Sequence, residues 1–155
     1  MTNIDIANGL LFQALGVNID TFDNRLLCQK KIYLLQELGV DMGYTYNWYV
    51  HGPYSPDLTA YLFRNLDVLK ELDFSKYAFS VSVQEKIDIV NSFINEKPYS
   101  LSVPSWYELL ASVLYIHKRW NNENEIETLK QFKPQFEYQQ VETAVNALKA
   151  SGCYS

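Results

Sequence analysis

The stretch Gly43-Tyr44-Thr45-Tyr46-Asn47-Trp48-Tyr49-Val50-His51-Gly52-Pro53-Tyr54-Ser55-Pro56-Asp57 decides the fold, because strand, turn and helix signals follow one another in it without a gap. Period-two spacing sets Tyr44, Tyr46, Trp48 and Val50 on one face of a predicted strand. Gly52-Pro53 forces a turn, and Ser55-Pro56-Asp57 supplies a helix N-cap, a proline at the first helical position and an acid in the first turn.

Outward from this junction the pattern is helical. Ile4, Ala7, Leu11 and Ala14 recur at helical spacing before Gly16, and a second helix is predicted from about Phe22 to Leu38, capped from Asp20 or Thr21 and closed by Gly39. After the junction, Leu58, Leu62, Leu66 and Leu69 form one stripe. Tyr77 to Val81 alternates like a short strand and is expected to pair with the aromatic one. Ser82-Val83-Gln84-Glu85 reads as a capping box for a helix turning Val83, Ile87, Val90 and Ile94 inward. Further helices are expected at 105–120, 125–132 and 136–150. The predicted core comprises Leu34, Leu35, Leu62, Leu66, Val90, Ile94, Leu110, Val113, Val145 and Leu148. The fold class is therefore mainly α (α+β), a compact helical domain with a small two-stranded β element, winged-helix-like in element order, and residues 1–155 form a single globular domain.

Composition limits the function classes. The chain has 155 residues, 48% of them hydrophobic and 20% charged, with a formal net charge of −5 and no basic tail, so charge disfavours a polyanion partner. Cys28 and Cys153 form neither a disulfide framework nor a metal-spaced pair. With no signal-peptide pattern and no stretch of membrane-spanning length, the expectation is a soluble, cytoplasmic protein.

The segments Gln29-Lys30-Lys31-Ile32-Tyr33-Leu34-Leu35 and His51-Gly52-Pro53-Tyr54-Ser55-Pro56-Asp57-Leu58 together resemble the pattern of the YwgA-like proteins and the related Panacea (SocA-like) antitoxin domains. Trp106 to Ala111 and Lys133-Pro134-Gln135-Phe136 are similar as well, so the resemblance runs from about Leu26 onward. It implies a bacterial or phage-associated helical domain with no described active site and an interaction role, with a toxin as one kind of protein partner. Where the family pattern has an apolar residue after Gln-Lys, this chain has Lys31, which falls within the stripe of Leu27, Leu34, Leu35 and Leu38. Either its stem lies along the core rim and its ammonium snorkels, or it points into a pocket beneath the aromatic strand and needs a carboxylate neighbour.

No catalytic constellation is present: no phosphate loop, nucleophile elbow, metal-spaced histidines or acidic calcium loop. Ser55 with His51 four residues before it is the nearest to a nucleophile and base, but a capping hydroxyl is already committed to backbone N–H groups. His117, on the apolar stripe of Trp106, Leu110, Val113 and Trp120, is expected to be a core-edge histidine with a hydrogen-bonded ring. No cofactor and no metal site is expected. The functional expectation is a non-catalytic protein-interaction module, antitoxin-like, whose partner-binding residues are Tyr49, His51, Gly52, Pro53, Tyr54 and Lys31. The alternative is a winged-helix-like DNA-binding regulator reading with the helix that starts near Pro56. That helix sets Asp57, Asp67 and Glu71 against Arg64 and Lys70, and so offers phosphate little attraction.

Overall fold

The computed structural model describes residues 1–120 and 124–154. Its elements run α1 (Asn3–Leu15), α2 (Phe22–Glu37), β1 (Asn47–Tyr49), β2 (Gly52–Tyr54), α3 (Pro56–Lys70), α4 (Val81–Ser92), a 3-10 turn (Phe93–Glu96), α5 (Val103–Arg119), α6 (Glu125–Phe132) and α7 (Tyr138–Ser151). Local capping sets most boundaries. Thr2 and Asp5 form a reciprocal capping box at the start of α1, and Gly16 closes it in the left-handed region at φ 68°. Thr21, Ser55 and Ser102 cap α2, α3 and α5 through their hydroxyls.

Helix α5 is the axis of the domain. Every residue from Trp106 to Ile116 is buried, as expected of a helix surrounded on all sides. It packs chiefly on α2 and α7, with α6 and the hairpin completing its surround, while α1 bridges α3 and α4. Two polar residues interrupt this apolar helix, Glu108 and Ser112, four apart and so on one face.

Three expectations are corrected. The aromatic strand pairs not with Tyr77 to Val81 but with the residues that follow its own turn: β1 and β2 form an antiparallel hairpin with register Asn47↔Tyr54, Trp48↔Pro53 and Tyr49↔Gly52. Residues 43–46 are not strand, because the backbone N–H and C=O of Tyr44 are both taken by the Gln36 side chain at 3.0 Å. Residues 77–80 are neither strand nor helix, with Tyr77 and Val81 exposed, and the wing of a winged helix is not built there. Next, α4 starts two residues earlier than the capping-box reading, since Ser80 rather than Ser82 caps it, accepting from Val83 N at 3.2 Å. Finally, Ile94 is exposed within the 3-10 turn, where the tighter winding rotates Phe93 into the core in its place. The other nine predicted core residues are buried.

Candidate functional site

The two segments that carry the family-like pattern meet in space beneath the hairpin. Gln29, buried in α2, donates from Nε2 to Ser55 O and Thr59 Oγ1, both at 2.9 Å, and its Oε1 accepts from Ser55 N at 2.9 Å. One residue on, the fully buried Lys30 donates from Nζ to Pro53 O at 2.5 Å. Tyr46 closes the base, its hydroxyl donating to Gln29 O at 2.8 Å. Backbone polar groups at Pro53 and Ser55 that burial would otherwise leave unpaired are thus satisfied by side chains of α2.

A second set of bonds fixes the hairpin tip. Lys133, 3% exposed and just beyond α6, donates from Nζ to Val50 O and to Glu108 Oε2, each at 3.1 Å. His51 Nδ1 donates to the other Glu108 oxygen at 3.2 Å. The same Lys133 ammonium lies 5.6 Å from the Trp48 ring centroid. Gly52 adopts φ 86°, and a β-carbon there would overlap Ser112 Oγ, so both conformation and space require glycine. Burial pushes the Lys30 ammonium down to about 7, the Lys133 charge adds to that, and the Glu108 carboxylate opposes it.

The hairpin divides two aromatic surroundings. Trp48 turns toward α5 and α6, its ring centroid 5.0 Å from that of Trp120 and 5.7 Å from that of Tyr115. Tyr49 and Tyr54 turn the other way and meet edge to face at 5.2 Å, while the Tyr54 hydroxyl bonds Thr59 Oγ1 at 2.7 Å. Here lies a groove of about 320 Å³. Its floor is one stripe of α2, Phe22, Arg25, Leu26 and Gln29 at i, i+3, i+4 and i+7, together with Thr59 and Phe63 of α3. Its lip is the hairpin, through Tyr49, Val50, His51 and Tyr54. Four large apolar side chains around it are strongly exposed: Phe22 at 54%, Tyr49 at 44%, Val50 at 85% and Phe63 at 62%.

The sequence-predicted site residues therefore separate into three groups. Tyr49, His51 and Tyr54 line the groove, whereas Gly52 and Pro53 are buried under the hairpin and act through its geometry. Lys31 belongs to neither group. It is half-buried, donates from Nζ to Leu15 O at 3.0 Å and sits 5.6 Å from the Tyr107 ring centroid. The lysine beneath the aromatic strand is Lys30, not Lys31, and it takes a carbonyl as its hydrogen-bond partner. Sequence reasoning missed Lys30, Glu108, Lys133, Phe22 and Phe63. The signal for Glu108 was present, a charge in the middle of a helix apolar on every side.

His117 has the hydrogen-bonded ring expected of it. Nε2 donates to Tyr154 O at 2.7 Å, Nδ1 meets Glu125 Oε1 at 2.5 Å, and the ring stacks on Tyr154 at 3.7 Å. Ser55 Oγ accepts from Leu58 N as a cap, and the His51 ring faces Glu108 and Phe22, so the two do not form a nucleophile–base pair. Arg119, in the basic turn that ends α5, is paired with Glu37 at 3.6 Å. Among the described residues no three His, Cys, Asp or Glu side chains converge as a metal site, and no helix is long and apolar enough to cross a membrane. Searches against family models, curated proteins and solved structures return no match to this chain.

Proposed function

We propose that this protein is a non-catalytic interaction module that binds a partner protein in the groove between the hairpin and helices α2 and α3. The observation that carries the reading is the convergence of Phe22, Tyr49, Val50 and Phe63, all exposed, on one concave surface. Large apolar side chains gathered at a groove are costly to leave in water, and aromatic anchors of this kind dominate protein interfaces. The clamps from Gln29, Lys30 and Lys133 add to the argument. They hold the lip in place before binding, which lowers the ordering cost of association. Membership of the YwgA-like and Panacea group, an antitoxin-like role in the bacterial cytoplasm and a toxin as the partner all belong to this proposal, on the strength of the Gln-Lys and Gly-Pro segments.

The test is affinity capture from the native host, with partners identified by mass spectrometry, using the intact protein, Tyr49→Ala, Phe63→Ala and, as a control outside the groove lining, Tyr99→Ala. Each groove substitution should weaken capture of the same partner by about 2 kcal/mol or more, the scale of a hot spot, with little change in Tm. Tyr99→Ala should leave it intact. Undiminished capture by both groove variants would sink the reading.

A further inference from the structure

Within the groove, one residue is out of keeping with the rest. Among the described residues Arg25 is its only permanently charged lining group and no carboxylate lines it, although the chain as a whole carries 18 acids against 13 lysines and arginines. The guanidinium donates from Nη1 to Ile19 O at 3.1 Å, which fixes its orientation and leaves the rest of its fork available. Among the described residues it has no ion-pair partner. A fixed arginine beside apolar side chains suits a planar carboxylate better than any other common protein group.

Size narrows the occupant further. At about 320 Å³ the groove is at the lower end of ligand pockets, enough for one or two large side chains rather than for an extended cofactor. Leu26 and Phe63 of its floor and Tyr54 of its lip offer apolar surface to such a side chain, and Arg25 stands next to Leu26 on the same stripe of α2. We propose that the docked segment of the partner protein presents a large apolar side chain flanked by a carboxylate, the former seated in the groove and the latter on Arg25. This rests on the reading of the groove as a protein-docking site. A lysine or arginine at the flanking position meets like charge and is rejected, so Arg25 supplies selectivity in addition to affinity.

Three capped dipeptides test this: N-acetyl-tryptophyl-glutamate amide and its glutamine and lysine counterparts, each titrated to several millimolar into isotope-labelled protein and followed by amide chemical shifts. Binding should perturb the amides of Phe22, Tyr49 and Phe63 and rank glutamate over glutamine over lysine. The glutamate peptide should bind about tenfold more tightly than the lysine one at low salt, with the gap narrowing as salt is added. Arg25→Gln removes the charge while keeping a polar N–H group and should erase the ranking, whereas Arg25→Lys, which keeps the charge, should retain part of it. Equal binding of all three peptides, a ranking unchanged in Arg25→Gln, or no shift at the groove would each overturn the proposal. Should that happen while Tyr49→Ala still abolishes partner capture, the docking site stands and only the chemistry assigned to its occupant falls.

Discussion

The Lys30 ammonium donates to the carbonyl oxygen of Pro53 at 2.5 Å from a fully buried position, so strand β2 is held from below by a side chain that enters from helix α2. That bond ties α2 to the hairpin at the point where the groove lip is formed. It also places a titratable group out of contact with water.

Stability should therefore depend on pH through Lys30. Its folded-state value is depressed to about 7 from an ordinary 10.5, chiefly by burial, so between these limits the unfolded chain binds more protons. Stability then rises as pH increases from about 7. The half-buried Lys31, also depressed by burial, acts in the same direction. Above pH 9 an opposing contribution grows, because burial raises Cys28 from 9.0 to about 12 and raises Tyr46 well above its usual range, so the unfolded chain loses those protons first. Urea unfolding midpoints measured from pH 7 to 9 should climb more steeply in the intact protein than in Lys30→Met. A parallel climb in both would refute the assignment.

Gly52 and Ser112 should be coupled. Gly52→Ala puts a methyl group against Ser112 Oγ and forces alanine to φ 86°, for an expected loss of about 2–4 kcal/mol. Ser112→Ala alone should be neutral or slightly stabilising, because the buried hydroxyl has no hydrogen-bond partner among the described residues. In the double variant the overlap is removed and only the conformational cost of about 1 kcal/mol remains, a non-additivity that a denaturant double-mutant cycle reads directly.

Glu108 neutralises Lys133 and receives His51, all under the hairpin tip. Glu108→Ala should cost about 3–5 kcal/mol by leaving the Lys133 ammonium buried with no carboxylate, held by the Val50 carbonyl and the Trp48 ring. Replacing both residues, Glu108→Leu with Lys133→Met, should cost less than Glu108→Ala, since no uncompensated charge remains. Chemical denaturation of the three proteins decides this, and a double variant weaker than Glu108→Ala would contradict it.

Lys31→Leu should shift stability by no more than about 1 kcal/mol. It removes one hydrogen bond to the last carbonyl of α1 but adds apolar surface to a half-buried position. Because Lys31 does not line the groove, partner capture should be unchanged.

Helix ends were legible in the sequence because each is set by residues a few positions apart. Thr21 before α2, Ser55-Pro56 before α3 and Gly16 after α1 act through their own backbone neighbours, and the leucine stripe of α3 specifies its inward face. The surface tyrosines were legible too, since alternation puts Tyr49 opposite Tyr46 and Trp48, and Tyr49 is exposed. Val50 was misread because the hairpin turns there, and the alternation that would carry it inward ends one residue earlier.

Only the tertiary structure decided which strand pairs with which and which lysine is buried. A three-residue strand carries too little pattern to name its partner, and Gly52-Pro53, read as the turn itself, lies in β2 with Pro53 opposite Trp48, the turn falling at Val50 and His51. The stripe reading of α2 assumed one apolar face, but the helix is enclosed by α5, the hairpin and α4, and buries Cys28, Gln29, Lys30, Ile32 and Tyr33 in near succession. Whether Lys30 is buried depends on a carbonyl at Pro53 and a carboxylate at Glu108, brought beneath it by elements distant in sequence. Helical periodicity gives the direction of a side chain about its own axis. What meets it there, water, lipid-like core or a compensating charge, is fixed only when the other helices pack.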